Sequence, residues 1–196
     1  MWWSCLLLDS GARRIFAAPF PLTVLEDELA FNCRSLTAAE AKAWQALRIE
    51  GARDFPLGFL VTLTEVQQMT LERAATILGG GGTRGVFDGD ELVGFCGFRP
   101  ERLERTRHRA ELGPFFVTGS QQGSGAASFL MKSVIDEAIG LGLEQLELFV
   151  DTLNHRAIAF YERHGFIRIA THPDGVRIDG VSRDDHFYCL RLTRTQ

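Results

Sequence analysis

The residues most able to do chemistry in this chain are Gln122-Gly123-Ser124-Gly125-Ala126-Ala127, followed about thirty positions later by Asn154 and by Tyr161-Glu162-Arg163-His164-Gly165-Phe166. The first group reads as a glycine-rich turn that opens a helix. Such a turn offers several backbone N–H groups at the positive end of a helix, where a phosphate or pyrophosphate can sit without a metal. A phosphorylated cofactor is the first expectation. A dinucleotide fingerprint is a poor fit because Ser128 stands where its third glycine would be. A P-loop does not fit either, since no Gly-Lys-Ser or Gly-Lys-Thr occurs.

A second feature lies upstream, in Glu111-Leu112-Gly113-Pro114-Phe115-Phe116-Val117. Apolar residues there spell a strand, but Pro114 removes a ladder donor and is tolerated mainly at an edge or a bulge. A bulge at Pro114 would splay this strand from its neighbour. The backbone from Phe115 to Val117 would then be open to a linear, amide-bearing ligand that pairs as an extra strand.

The elements that must position these groups follow from periodicity. A strand is expected over residues 29–34, and Thr37 with Glu40 has capping-box spacing ahead of a helix that carries Ala41, Trp44 and Leu47 or Arg48. Pro56 and its neighbouring glycines end that helix. A single further helix is expected over residues 64–78, begun by Thr64 and Gln67 and stopped by the run Gly79-Gly80-Gly81-Gly82. Extended stretches at 83–88, 92–99 and 107–118, the first two flanking Asp88-Gly89-Asp90-Glu91, predict three consecutive antiparallel strands. The turn at 122–127 then launches a helix to about Leu141, with Leu130, Val134 and Ala138 at i, i+4, i+8 spacing. A strand at 145–151, a helix at 154–164 and strands at 166–170 and 186–193 complete the order. Residues 172–185 read as a polar connection between the last two strands. The fold class is therefore α/β (mixed α+β), with about seven strands in one mostly antiparallel sheet and about four helices on its faces.

Composition narrows the function. At 196 residues, 45% apolar and 23% charged, the chain fits one globular domain over residues 29–196, preceded by an extension over 1–28. A formal charge of −4 without a basic run makes nucleic acid a poor partner. The apolar start is short, lacks a basic flank and is stopped by Asp9, so neither a signal peptide nor a membrane span is expected. Cys5, Cys33, Cys96 and Cys189 are scattered and the five histidines lack ligand spacing, so no metal site is expected and a cytoplasmic location fits. Cys96 reads as a small buried residue. Trp44 and Phe55 either line a pocket or pack.

Taken together, the chain resembles the GNAT superfamily of N-acetyltransferases. The family's cofactor motif, Arg or Gln, two residues, Gly, one residue, then Gly or Ala, is matched by Gln122, Gly125 and Ala127. Its second signature is matched by Asn154, Ala157, Phe160, Tyr161, Gly165 and Phe166. The resemblance spans about residues 29–193. It implies acetyl-CoA as cosubstrate, no metal, and transfer to a primary amine of a small molecule, peptide or protein in a ternary complex, with a homodimer as an open expectation. It also implies that Phe115 and Val117 bond the thioester arm through their backbone, that 122–127 hold the pyrophosphate, and that Asn154 contacts the pantetheine. Tyr161 would lie near the sulfur, where a phenol can protonate the departing thiolate. Without the family, Tyr161 reads more readily as a core aromatic on a helix than as an acid. Glu111, eleven positions before Gln122, resembles the glutamate base of histone-acetylating members, with Asp174, Asp184 and Asp185 as rivals. A non-catalytic acyl-CoA sensor is the alternative reading.

Overall fold

The computed structural model describes residues 31–192; the expected extension over 1–28 lies outside them. Seven strands form one sheet: β1 (Phe31–Ser35), β2 (Thr83–Asp88), β3 (Glu91–Pro100), β4 (Arg109–Val117), β5 (Gln145–Asp151), β6 (Ile167–Ile178) and β7 (Val181–Arg191), in the order β1-β2-β3-β4-β5-β7-β6. All neighbours are antiparallel except β4 and β5, which run parallel. Five α-helices accompany the sheet: α1 (Ala41–Asp54), α2 (Leu63–Gln68), α3 (Leu71–Gly79), α4 (Ala126–Gly140) and α5 (His155–Arg163).

Residues 92–98 of β3 are buried without a break because both faces of the strand are covered. On one face Phe87, Phe95 and Phe116 pack with Trp44 and Leu47 of α1 and Leu78 of α3. On the other, Cys96, Phe98 and Leu112 pack with Leu130, Val134 and Ala138 of α4, the three residues expected from helical spacing. Each large apolar side chain removed from water in these layers contributes about 1.5–3 kcal/mol, which keeps α1 and α4 fixed to opposite faces. Arg84 of β2 adds a paired contact to Glu137 of α4 at 2.7 Å.

Three expectations need correction. The single helix over 64–78 is two helices, because Thr70 accepts the N–H of Arg73 and starts α3 as a new cap. The capping box ahead of α2 is made by Thr62 and Glu65, not by Thr64 and Gln67. The supposed polar connection over 172–185 is mostly strand: β6 and β7 form a long hairpin that turns between Ile178 and Val181. Asp179 and Gly180, both at positive φ, make that turn. Asp-Gly is a strong two-residue hairpin signal, and it was hidden by the charged residues around it.

The bulge expected at Pro114 is present. Between the Cys96–Phe115 and Phe98–Leu112 pairs, β4 contains one more residue than β3. The two backbones come so close there that a Cβ on Gly97 would lie 2.2 Å from the Gly113 carbonyl oxygen, so only glycine fits. No helix among the described residues is long and apolar enough to cross a membrane.

Candidate active site

β4 pairs with β5 only through Arg109, Ala110 and Glu111. Beyond Glu111 it stays bonded to β3, where Phe115, Phe116 and Val117 face Cys96, Phe95 and Gly94, but it leaves β5. The β5-facing edge of residues 115–117 is thus an open strand edge. Asn154, Ala157 and Tyr161 of the α5 segment line the gap together with Phe115.

A cavity of about 700 Å³ runs from this gap to the turn before α4. Glu50 of α1 anchors the start of that turn: its carboxylate accepts the Thr118 hydroxyl at 2.8 Å and the Gly119 N–H at 2.8 Å. Gly123 (φ 86°) and Gly125 (φ 96°) supply backbone conformations that other residues rarely adopt. Ser124 closes the turn by donating to the Gln121 carbonyl at 2.8 Å and accepting the Ala126 N–H at 3.2 Å. The N–H groups of Gly123, Gly125, Ala127 and Ser128 find no acceptor among the described residues, and all four residues line the cavity. Ser124 and Ala126 lie off the wall, one fastening the turn and the other buried in the core. Gln122 lines the cavity and accepts Arg156 of α5 at 2.7 Å, which fixes the turn to the far side of the gap.

A second cavity of about 530 Å³ opens on the other side of the splay. It shares Phe115, Asn154, Ala157 and Tyr161 with the first, along with the 56–59 segment after α1. Glu111 lines this second cavity, its carboxylate held by Arg99 at 2.5 Å. Asp151, also in its wall, takes a paired contact from Arg183 at 2.9 and 2.6 Å. Burial opposes ionisation of Asp151, but Arg183 and the Leu153 N–H outweigh it and hold the carboxyl below its ordinary range.

Tyr161 stands where the cavities meet. Its ring packs against Phe115 and Phe166 at 6.5 and 5.8 Å between centroids, and burial pushes its phenol well above the usual value. The group therefore stays protonated and can act as a donor. Asn154 uses its Oδ1 to accept the Ala157 N–H at 3.2 Å, so it starts α5 as well as lining both cavities. Cys96 is fully buried, its thiol is pushed up to about 12 by burial, and it lines neither cavity, which removes it as a nucleophile. Among the described residues no three His, Cys, Asp or Glu side chains gather to hold a metal ion. Of the rival carboxylates, Asp185 lines the second cavity, whereas Asp174 and Asp184 do not.

Residues 44–166 match the profile of the acetyltransferase (GNAT) family, well over half of the chain. The chain belongs to that family. A mycothiol acetyltransferase of Jonesia denitrificans is 33% identical over 87 residues, a stretch that spans 44% of this chain and 27% of that protein. The chain therefore matches about a quarter of the curated relative's length. A ribosomal-protein-alanine N-acetyltransferase of Brucella melitensis superposes with a TM-score of 0.72 at 23% identity, covering 82% of this chain and 99% of that one. The Salmonella typhimurium protein yncA, solved with its cofactor acetyl-CoA, gives a TM-score of 0.71 at 17% identity over 85% of this chain and 96% of that one. At these identities the structures establish the GNAT fold, in agreement with the two motifs.

Sequence reasoning missed several residues that build this GNAT site. Glu50 and Arg156 belong to no motif, and their partners lie 68 to 69 and 34 positions away. Arg48 was placed on the first helix only as part of its apolar side, yet it lines the second cavity.

Proposed function

We propose that the protein transfers an acetyl group from acetyl-CoA to a primary amine in a ternary complex. The observation that carries this reading is the meeting of two cavities at Tyr161, one ending in a cradle of free N–H groups and the other lined by carboxylates. The N–H groups of Gly123, Gly125, Ala127 and Ser128 hold the pyrophosphate, helped by the positive end of α4. Gln122, Ser124 and Ala126 keep that cradle in shape. The pantetheine amides pair with the open edge of β4 at Phe115 and Val117, and Asn154 lines their other side.

The acceptor nitrogen attacks the thioester carbonyl, giving a tetrahedral intermediate whose oxyanion is stabilised by a β4 N–H. Collapse breaks the C–S bond, and the thiolate takes the Tyr161 proton. The proton lost by the amine passes to a carboxylate of the second cavity; Glu111, at the splay, is positioned to take it through water. A reducing cytoplasm suits a protein whose Cys33, Cys96 and Cys189 are free thiols.

A thiol-release assay across amines and peptides tests the reaction, alongside calorimetric binding of acetyl-CoA. Tyr161→Phe is expected to leave acetyl-CoA affinity within about twofold and to lower kcat by roughly 10²-fold. Acetyl-CoA binding with no acceptor-dependent thiol release would identify the protein as a CoA-binding module instead.

A further inference from the structure

The second cavity has five Arg, Asp or Glu side chains in its wall: Arg48, Arg99, Glu111, Asp151 and Asp185. Three are satisfied within the protein. Arg99 and Glu111 hold each other, and Asp151 is held by Arg183. Arg48 and Asp185 remain, one cation and one anion in the same small chamber.

Arg48 is half-buried, and its Nε is buried without a partner among the described residues. Its guanidinium lies 4.7 Å above the Trp44 ring, and its Nη1 reaches only the Met69 sulfur, at 3.6 Å. Burial alone perturbs its charge, with no carboxylate near enough to support it. A half-buried guanidinium with an unpaired buried Nε costs free energy until an oxyanion meets its donors. Asp185 is 8% exposed, and its carboxylate accepts no hydrogen bond from the described residues. His172 and Arg183 supply only longer-range attraction, opposed by Asp151 and Asp184. It lacks a donor among the described residues, although its oxygens, unlike the Arg48 Nε, are not fully shut off from solvent.

We infer that the acceptor is a small amino acid-like zwitterion, its carboxylate or similar oxyanion bound by Arg48 and its amino group directed toward Asp185. A chamber of about 530 Å³ suits such a molecule. The inference rests on the acetyl-transfer reading above and narrows its substrate class. One ligand satisfies both lone charges, whereas a plain amine leaves Arg48 without an acceptor. The rejection of ligands lacking the oxyanion arises from that leftover charge.

The test compares α-, β- and γ-amino acids with the same amines lacking the carboxylate, by thiol release and by calorimetry on the CoA-loaded protein. The better amino acids should exceed their decarboxylated partners by about tenfold or more in kcat/KM or affinity. Arg48→Gln should bring each pair to within about twofold by raising KM for the amino acid, while acetyl-CoA affinity is unchanged; Arg48→Lys should keep part of the preference. Asp185→Asn should weaken both members of a pair. Equal treatment of both members by the wild-type protein, a preference that survives Arg48→Gln, or no response to any amino acid in either assay overturns the inference. Absence of acetyl-CoA binding or of thiol release with every amine would instead overturn the acetyl-transfer reading.

Discussion

Tyr161 and Asp185 show how burial prepares single groups in this site. For Tyr161, burial raises the phenol further above its ordinary value, so the group where the two cavities meet is a hydroxyl and not a phenolate. For Asp185, burial is the largest effect and the Asp151 charge adds to it, and together they raise its carboxyl above the ordinary value. The charged groups that act on it are Asp151, His172, Arg183 and Asp184. The folded protein thus holds the Asp185 proton to higher pH than the unfolded chain does. Stability from this group is full below the ordinary carboxylate range and is lost as pH rises through the raised value. Asp185→Asn is expected to raise Tm relative to wild type at pH 8 in the absence of acceptor, with the gain vanishing near pH 3.5. Thermal unfolding followed by circular dichroism at both pH values checks it, and an equal difference at both would mean that ionisation is not the cause.

At the scale of elements, the turn before α4 presents its backbone, not its side chains, to the cavity, with the N–H groups of Gly123, Gly125, Ala127 and Ser128 lacking acceptors among the described residues. Gly125 sits at φ 96°, where an alanine is strained. Gly125→Ala should cost about 1–3 kcal/mol of stability if the turn keeps its shape. If the turn relaxes instead, acetyl-CoA affinity should fall by roughly tenfold or more. Urea unfolding combined with calorimetry separates these, and a variant unchanged in both would show that the φ at this position is unimportant. The neighbouring strand element works similarly: one extra residue in β4, opposite Gly97, turns the strand away from β5 and opens its edge.

On the scale of the whole molecule, the sheet is two antiparallel halves, β1-β2-β3-β4 and β5-β7-β6, joined at one end by three residue pairs of β4 and β5. A ligand lying along the split touches β4, the α4 turn and α5 at once, and so binds only the assembled fold. Acetyl-CoA at about 100 times its Kd should stabilise the protein by about 2.7 kcal/mol, read as a rise in Tm. Desulfo-CoA, which retains the pyrophosphate and the pantetheine amides, should give a similar rise. A rise with acetyl-CoA alone would place the binding energy at the thioester rather than along the split.

The local features were legible in the sequence because their physical causes are local. Glycine at 123 and 125, the capping spacing of Thr37 and Glu40, the i, i+4, i+8 series on α4 and the proline that breaks a strand each act within a few residues. They determined the order of elements, the strand bulge and the two motifs of the GNAT family. The break between α2 and α3 and the β6–β7 hairpin were equally local, in Thr70 and in Asp179-Gly180, but stronger neighbouring patterns masked them. What only the tertiary structure decided is which distant groups meet. Glu50 reaches Thr118, Gln122 meets Arg156, and Arg48 and Asp185, 137 positions apart, line one chamber, neither in an ion pair among the described residues. Charge pairing depends on distances across the fold, and periodicity along the chain contains no record of them.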